Sequence, residues 1–126
     1  MENRKNLRLP IEVASELLIS DNALHHCKTK NISFGGICLI SEKPLNVVPG
    51  NECNVTLLIT ENKRFNVKFK CVVVHTSVDK KEVGCKYINI RVENYQDFKS
   101  FMINRSTDPD RLLDELSKNP GLDMRG

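Results

Sequence analysis

Two short stretches of the chain carry side chains whose types and spacing could do chemistry. Near the amino terminus, Arg4-Lys5-Asn6-Leu7-Arg8 sets two permanently charged, planar guanidinium groups four residues apart. Each can grip a phosphate or a guanine edge through two parallel N–H donors. Asn31-Ile32-Ser33-Phe34-Gly35-Gly36 supplies the complement: small polar side chains on Asn31 and Ser33, then two glycines. A residue without a Cβ lets backbone N–H groups come close to a ligand. In an extended chain Asn31 and Ser33 fall on one face, so their side chains can point together at that ligand. Phe34 is either a core residue or a lid that stacks on a base. Together the two stretches describe an anion site.

At these residues the sequence resembles the PilZ domain family, bacterial receptors for the second messenger cyclic di-GMP. The family's signatures are Arg-x-x-x-Arg on an amino-terminal arm and Asp/Asn-x-Ser-x-x-Gly after the first hairpin of a small β-barrel. They match Arg4 and Arg8, then Asn31, Ser33 and Gly36, with Asn31 the less acidic of the two accepted residues. A weaker likeness is Val83-Gly84-Cys85-Lys86-Tyr87, similar to a Gly-x-x-aromatic pattern on the strand that usually closes the barrel. The resemblance implies a cyclic di-GMP-binding receptor or adaptor rather than an enzyme, with no cofactor. Arg4 and Arg8 would take guanine edges and phosphate, Asn31 and Ser33 would hydrogen-bond bases or phosphate, and Gly35 and Gly36 would permit close approach. The arm would close over the nucleotide and change the surface offered to a downstream effector protein. The alternative is a degenerate PilZ-like protein-interaction module that binds no nucleotide.

Composition narrows the other classes. A chain of 126 residues suits one domain, and 40% hydrophobic with 28% charged residues is ordinary for a globular protein. The net charge of +3, from 19 Lys and Arg against 16 Asp and Glu, is too weak for bulk nucleic-acid binding. A single-strand-binding groove needs stacked aromatics, and the chain is 6% aromatic with no tryptophan. Five cysteines without a Cys-x-x-Cys pair read as reduced structural thiols in the cytoplasm. No apolar run reaches membrane-span length, and Leu7-Arg8-Leu9-Pro10 interrupts any secretory leader. His25, His26 and Cys27 do not make a metal site, because strand neighbours face opposite ways and a closed zinc site needs about four ligands. No Gly-x-Ser-x-Gly, His-Glu-x-x-His or Walker-type loop is present.

The elements that must position the motifs follow from periodicity. Residues 1–10 are polar and basic and read as a flexible arm. From Ile11 to Ile19 the apolar residues alternate as in a half-buried strand. Ser20-Asp21-Asn22 turns the chain into a second strand, Leu24 to Ile32, which delivers it to the Asn31 motif; Ile37 to Ile40 continues beyond. After a loop with a turn at Pro49-Gly50 come two strands with inward rows Cys53, Val55, Leu57, Ile59 and Phe65, Val67, Phe69, Cys71, Val73. They are joined by a turn at Glu61-Asn62-Lys63, and Asp79-Lys80-Lys81 then turns into Glu82–Ile90. Six or so strands joined by short turns argue an antiparallel barrel or sandwich, and the resemblance implies the barrel: a mainly β fold, a six-stranded antiparallel β-barrel with C-terminal α-helices. The first helix starts at Asn94 and packs Tyr95, Phe98 and Met102, with Phe101 beside them. The second starts at Asp108-Pro109, leads into Leu112, Leu113 and Leu116, and stops at Asn119-Pro120-Gly121. Residues 11–105 would form the barrel with its packed helix, and residues 106–126 the short second helix and tail.

Overall fold

Alternation of apolar and polar residues, broken by turn formers, produces short strands that hide one face each. The computed structural model describes residues 8–19, 23–60, 64–90 and 92–118. Its strands are β1 (Ala14–Ile19), β2 (Leu24–Ile32), β3 (Gly36–Ser41), β4 (Glu52–Ile59), β5 (Phe65–Thr76) and β6 (Glu82–Ile90), followed by helices α1 (Val92–Arg105) and α2 (Pro109–Lys118). Every pairing is antiparallel, and the strands close in the order β1-β2-β3-β6-β5-β4. Two three-stranded meanders are thus seamed together by β3–β6 and β1–β4, which leaves the barrel no unpaired edge. The predicted six-stranded antiparallel barrel with C-terminal helices is the observed fold.

Local chemistry explains the joints. Asn51 N–H donates to the Val48 carbonyl at 3.1 Å, and Gly50 takes φ 99°, the left-handed value that a turn of this kind demands after Pro49. In the β5–β6 turn Asp79 Oδ1 accepts from Ser77 Oγ (2.7 Å) and from Lys81 N–H (3.1 Å), which holds its carboxyl below the usual value. Asp108 Oδ1 accepts from Arg111 N–H at 3.2 Å, so it caps α2 as its sequence position predicts. Helix α1, by contrast, begins at Val92, which puts Asn94 inside its first turn instead of at its cap. The expected turns at 20–22 and 61–63 and the helix stop at 119–121 lie outside the described residues.

Inside the barrel Leu17, Val55, Leu57, Val67, Cys71 and Leu39 are fully buried. Helix α1 sits across this interior through Phe98. The Phe98 ring meets Phe69 at 5.1 Å, Phe34 at 5.5 Å and Tyr87 at 6.0 Å between centroids, each edge to face, while Phe69 stacks on Tyr87 at 4.2 Å. Such contacts add about 0.5–1.5 kcal/mol beyond burial. Phe34 is completely buried in this cluster, so it is a core residue and not a lid. All five cysteines are free and buried. Among the described residues no helix is long and apolar enough to cross a membrane.

Candidate functional site

The arm is tied to the barrel immediately beside the Asn31 motif. Leu9 N–H donates to the Ile32 carbonyl (2.7 Å) and Ile32 N–H donates back to the Leu9 carbonyl (2.9 Å), an antiparallel bridge between two buried side chains. Buried Thr29 continues the attachment: its hydroxyl donates to the Ile11 carbonyl and accepts from Val13 N–H at 2.7 Å. With Leu9 paired to Ile32, Arg8 falls opposite Ser33 and Pro10 opposite Asn31. Leu9 points inward, so the exposed Arg8 belongs to the outer face. Arg4 lies outside the described residues.

Asn31 reaches the outer face because of a bulge. Cys27 and Thr29 point into the barrel, and strict alternation would send Asn31 after them. The β2–β3 register instead shifts between Thr29 and Asn31, so Lys30 is the extra residue and Ile32 becomes the next inward side chain. Asn31 then pairs with Cys38, Cys38 with Gly84, and Gly84 with His75, one row across four strands. A Cβ on Gly84 would stand 2.5 Å from His75 Nε2, so the imidazole lies directly over that glycine.

The turn itself is held by Ser33. Its Oγ accepts from Gly35 N–H (3.1 Å) and Gly36 N–H (3.0 Å) and donates to the Gly36 carbonyl (3.1 Å). A hydroxyl has one donor and two acceptor positions, and all three are used. Ser33 N–H also donates to the Gly36 carbonyl at 2.9 Å. Gly36 lies so close to β6 that a Cβ would collide with the Cys85 carbonyl oxygen. The Gly35 carbonyl accepts from Tyr87 N–H at 3.1 Å.

Charged groups that the sequence reading did not single out complete the surface. Lys86, exposed on β6, pairs in register with Gly36 and has no ion-pair partner among the described residues. Glu82 Oε1 accepts from Lys30 Nζ at 2.9 Å and from the Cys38 thiol at 3.4 Å. The Lys30 bond, then the Cys38 bond, hold the Glu82 carboxyl below its usual pKa. Burial first, then the Glu82 bond, push the Cys38 thiol up to about 11, while Arg8 is near enough to pull it the other way. Lys30 was hidden by the unreadable bulge; Lys86 was visible as an outward position next to Tyr87, but its neighbour Gly36 depends on the β3–β6 pairing.

The described residues gather no three His, Cys, Asp or Glu side chains as metal ligands, and Cys27 faces the core, where burial raises its thiol to about 11. The surface presents hydrogen-bonding groups beside the cationic side chains of Arg8, Lys30 and Lys86. Comparison with known proteins agrees with the architecture. The inhibitor of motility of Bacillus subtilis (MotI/DgrA) superposes with a TM-score of 0.68 at 16% identity, over 83% of this chain and 52% of that one. This chain therefore spans about half the length of the Bacillus protein. The PilZ domain of YcgR from Escherichia coli, solved with c-di-GMP, gives 0.66 at 13% identity over 94% and 99%. The PilZ domain of CeSA from a cellulose synthesizing bacterium gives 0.56 at 12% over 79% and 94%. Identities this low speak for the fold alone. No curated protein matches the chain by sequence. The model of the PilZ domain matches residues 2–104, a span that takes in both motifs and the whole barrel as far as α1, and the chain belongs to the PilZ domain family.

Proposed function

We propose that the chain is a receptor or adaptor for cyclic di-GMP, which it binds on the outer face where the arm meets the turn after β2. The observation that carries this reading is the Leu9–Ile32 bridge, because it seats Arg8 about one strand spacing, ~5 Å, from the Asn31–Ser33 segment. The ligand carries two phosphates and two guanines, and each guanine offers O6 and N7 acceptors on one edge. Arg8, with Arg4 one motif spacing earlier, takes guanine edges and phosphate. Asn31 hydrogen-bonds a base or phosphate, and Lys86 adds positive charge on the far side of the turn. Ser33, Gly35 and Gly36 keep the turn narrow and bring its main chain close to the ligand. Support for the ligand class comes from the PilZ domain of YcgR, solved with c-di-GMP, which shares the fold.

In this reading the part of the arm that precedes Leu9 closes over the nucleotide when it binds and changes the surface shown to an effector protein in the cytoplasm. The output is a shift between two populations, with no reaction required. One observation favours the adaptor that binds no nucleotide: the Ser33 hydroxyl is already saturated by its own turn. Calorimetry with cyclic di-GMP at two salt concentrations separates the readings. Wild type is expected to bind with affinity that falls as salt rises, and Arg8→Ala to bind about tenfold or more weakly, the worth of one charge-assisted contact. A wild type that gives no heat at micromolar protein decides for the adaptor.

A further inference from the structure

A carboxylate stands beside the cationic groups of this surface, paired with one of them. Glu82 projects outward from β6, and donors on two other strands fix it in place, Lys30 on β2 and Cys38 on β3. Both donors use Oε1. A carboxylate offers about four acceptor positions over its two oxygens, and Oε2 has no hydrogen bond among the described residues. The side chain is 34% exposed, so the free oxygen is reachable from outside. The carboxylate is ionised at neutral pH, and the Lys30 bond lowers its pKa further. Cys38, which bonds Oε1, is the register partner of Asn31, so the carboxylate adjoins the row that holds the motif.

A fixed negative charge here opposes a doubly anionic ligand unless it meets a hydrogen-bond donor. Guanine supplies one: its exocyclic N2 amine, with N1–H beside it. Adenine presents an unprotonated ring nitrogen at the corresponding place, which a carboxylate repels. We propose that Glu82 is the guanine-selecting group of the site, with Oε2 accepting a hydrogen bond from the N2 amine of one base of the bound cyclic dinucleotide. Lys30 is a positioning residue that holds the carboxylate in register. This inference rests on the nucleotide-binding reading above.

The test is a cycle of two ligands and two proteins. Cyclic di-GMP and cyclic di-IMP, its inosine analogue, carry the same phosphates and differ by the N2 amines. Any change that Glu82→Ala makes at Lys30 or Cys38 therefore cancels between the ligands. Removing the amines is expected to weaken binding to wild type about tenfold or more, and to Glu82→Ala by less than about twofold. The isosteric Glu82→Gln, with its acceptor oxygen but without the charge, is expected to fall between them, and a thermal melt checks that both variants are folded. An equal penalty in wild type and Glu82→Ala overturns this inference while leaving nucleotide binding in place. A wild type that binds neither nucleotide overturns the binding reading itself, and this inference with it.

Discussion

Gly36 owes its glycine to the protein's own backbone as much as to any ligand. A Cβ there would meet the Cys85 carbonyl oxygen, and neither main chain can retreat without breaking the β3–β6 seam. Gly36→Ala is therefore expected to lower unfolding free energy by about 1–3 kcal/mol, read from urea denaturation. Lys86 sits across the same seam but answers only to solvent. Lys86→Gln is expected to leave stability within about 0.5 kcal/mol while weakening cyclic di-GMP binding at low salt and flattening its salt dependence. Tyr87 predicts the opposite sign. Its hydroxyl is buried without a hydrogen-bond partner among the described residues, while its ring stacks on Phe69. Burial also drives its pKa well up, so the phenol stays neutral. Tyr87→Phe keeps the ring and deletes the orphan, and is expected to raise stability by about 1 kcal/mol in the same denaturation experiment.

Among elements, the turn after β2 and helix α1 are mechanically joined through one side chain. Phe34 lies between Ser33 and Gly35, and its ring is held edge to face by Phe98 of α1. The motif thus presents Asn31 outward and anchors Phe34 inward, so a ligand that moves the turn must also load the helix. Phe34→Ala is expected to cost about 3–5 kcal/mol of stability through the cavity it leaves. It should also weaken nucleotide binding by loosening the turn, and a melt followed by calorimetry below the transition measures both. If binding is untouched in a folded Phe34→Ala, turn and helix are not coupled. The bulge at Lys30 is the other element-scale device, because it moves the whole end of β2 by one residue.

At the scale of the molecule, the buried thiols make the fold sensitive to alkali. Burial raises Cys27 and Cys38 from 9.0 to about 11, and it also carries Cys71 upward. Cys85 is raised first by a thiol–thiol hydrogen bond with Cys53, whose own thiol the same hydrogen bond lowers. A thiol with a higher pKa folded than unfolded contributes stability that is fully present below the unfolded value and is lost as pH rises through the folded value. The unfolded chain ionises first, so urea midpoints are expected to fall between pH 9.0 and about 11. For Cys27 and Cys38 the loss is on the order of 2 kcal/mol each, and Cys27→Ala should flatten part of the slope. A midpoint constant over that range would contradict the assignment.

Much of this was legible in the sequence, because much of it is local physics. The pleat has a period of two, so the inward rows of β4 and β5 can be read directly. Turn and cap chemistry acts within four residues, which makes Pro49-Gly50 and Asp108 readable. The motif pair could be recognised from residue types alone. Sequence could not set which strands meet across the barrel, because closure depends on long-range register. That register places Lys86 beside Gly36 and lets Glu82 reach Cys38, 44 residues away. Nor could alternation reveal that Asn31 faces outward, since a single extra residue reverses the parity of everything after it. The chain wrote down the side chains of its candidate site, and only the closing of the sheet decided which of them became neighbours.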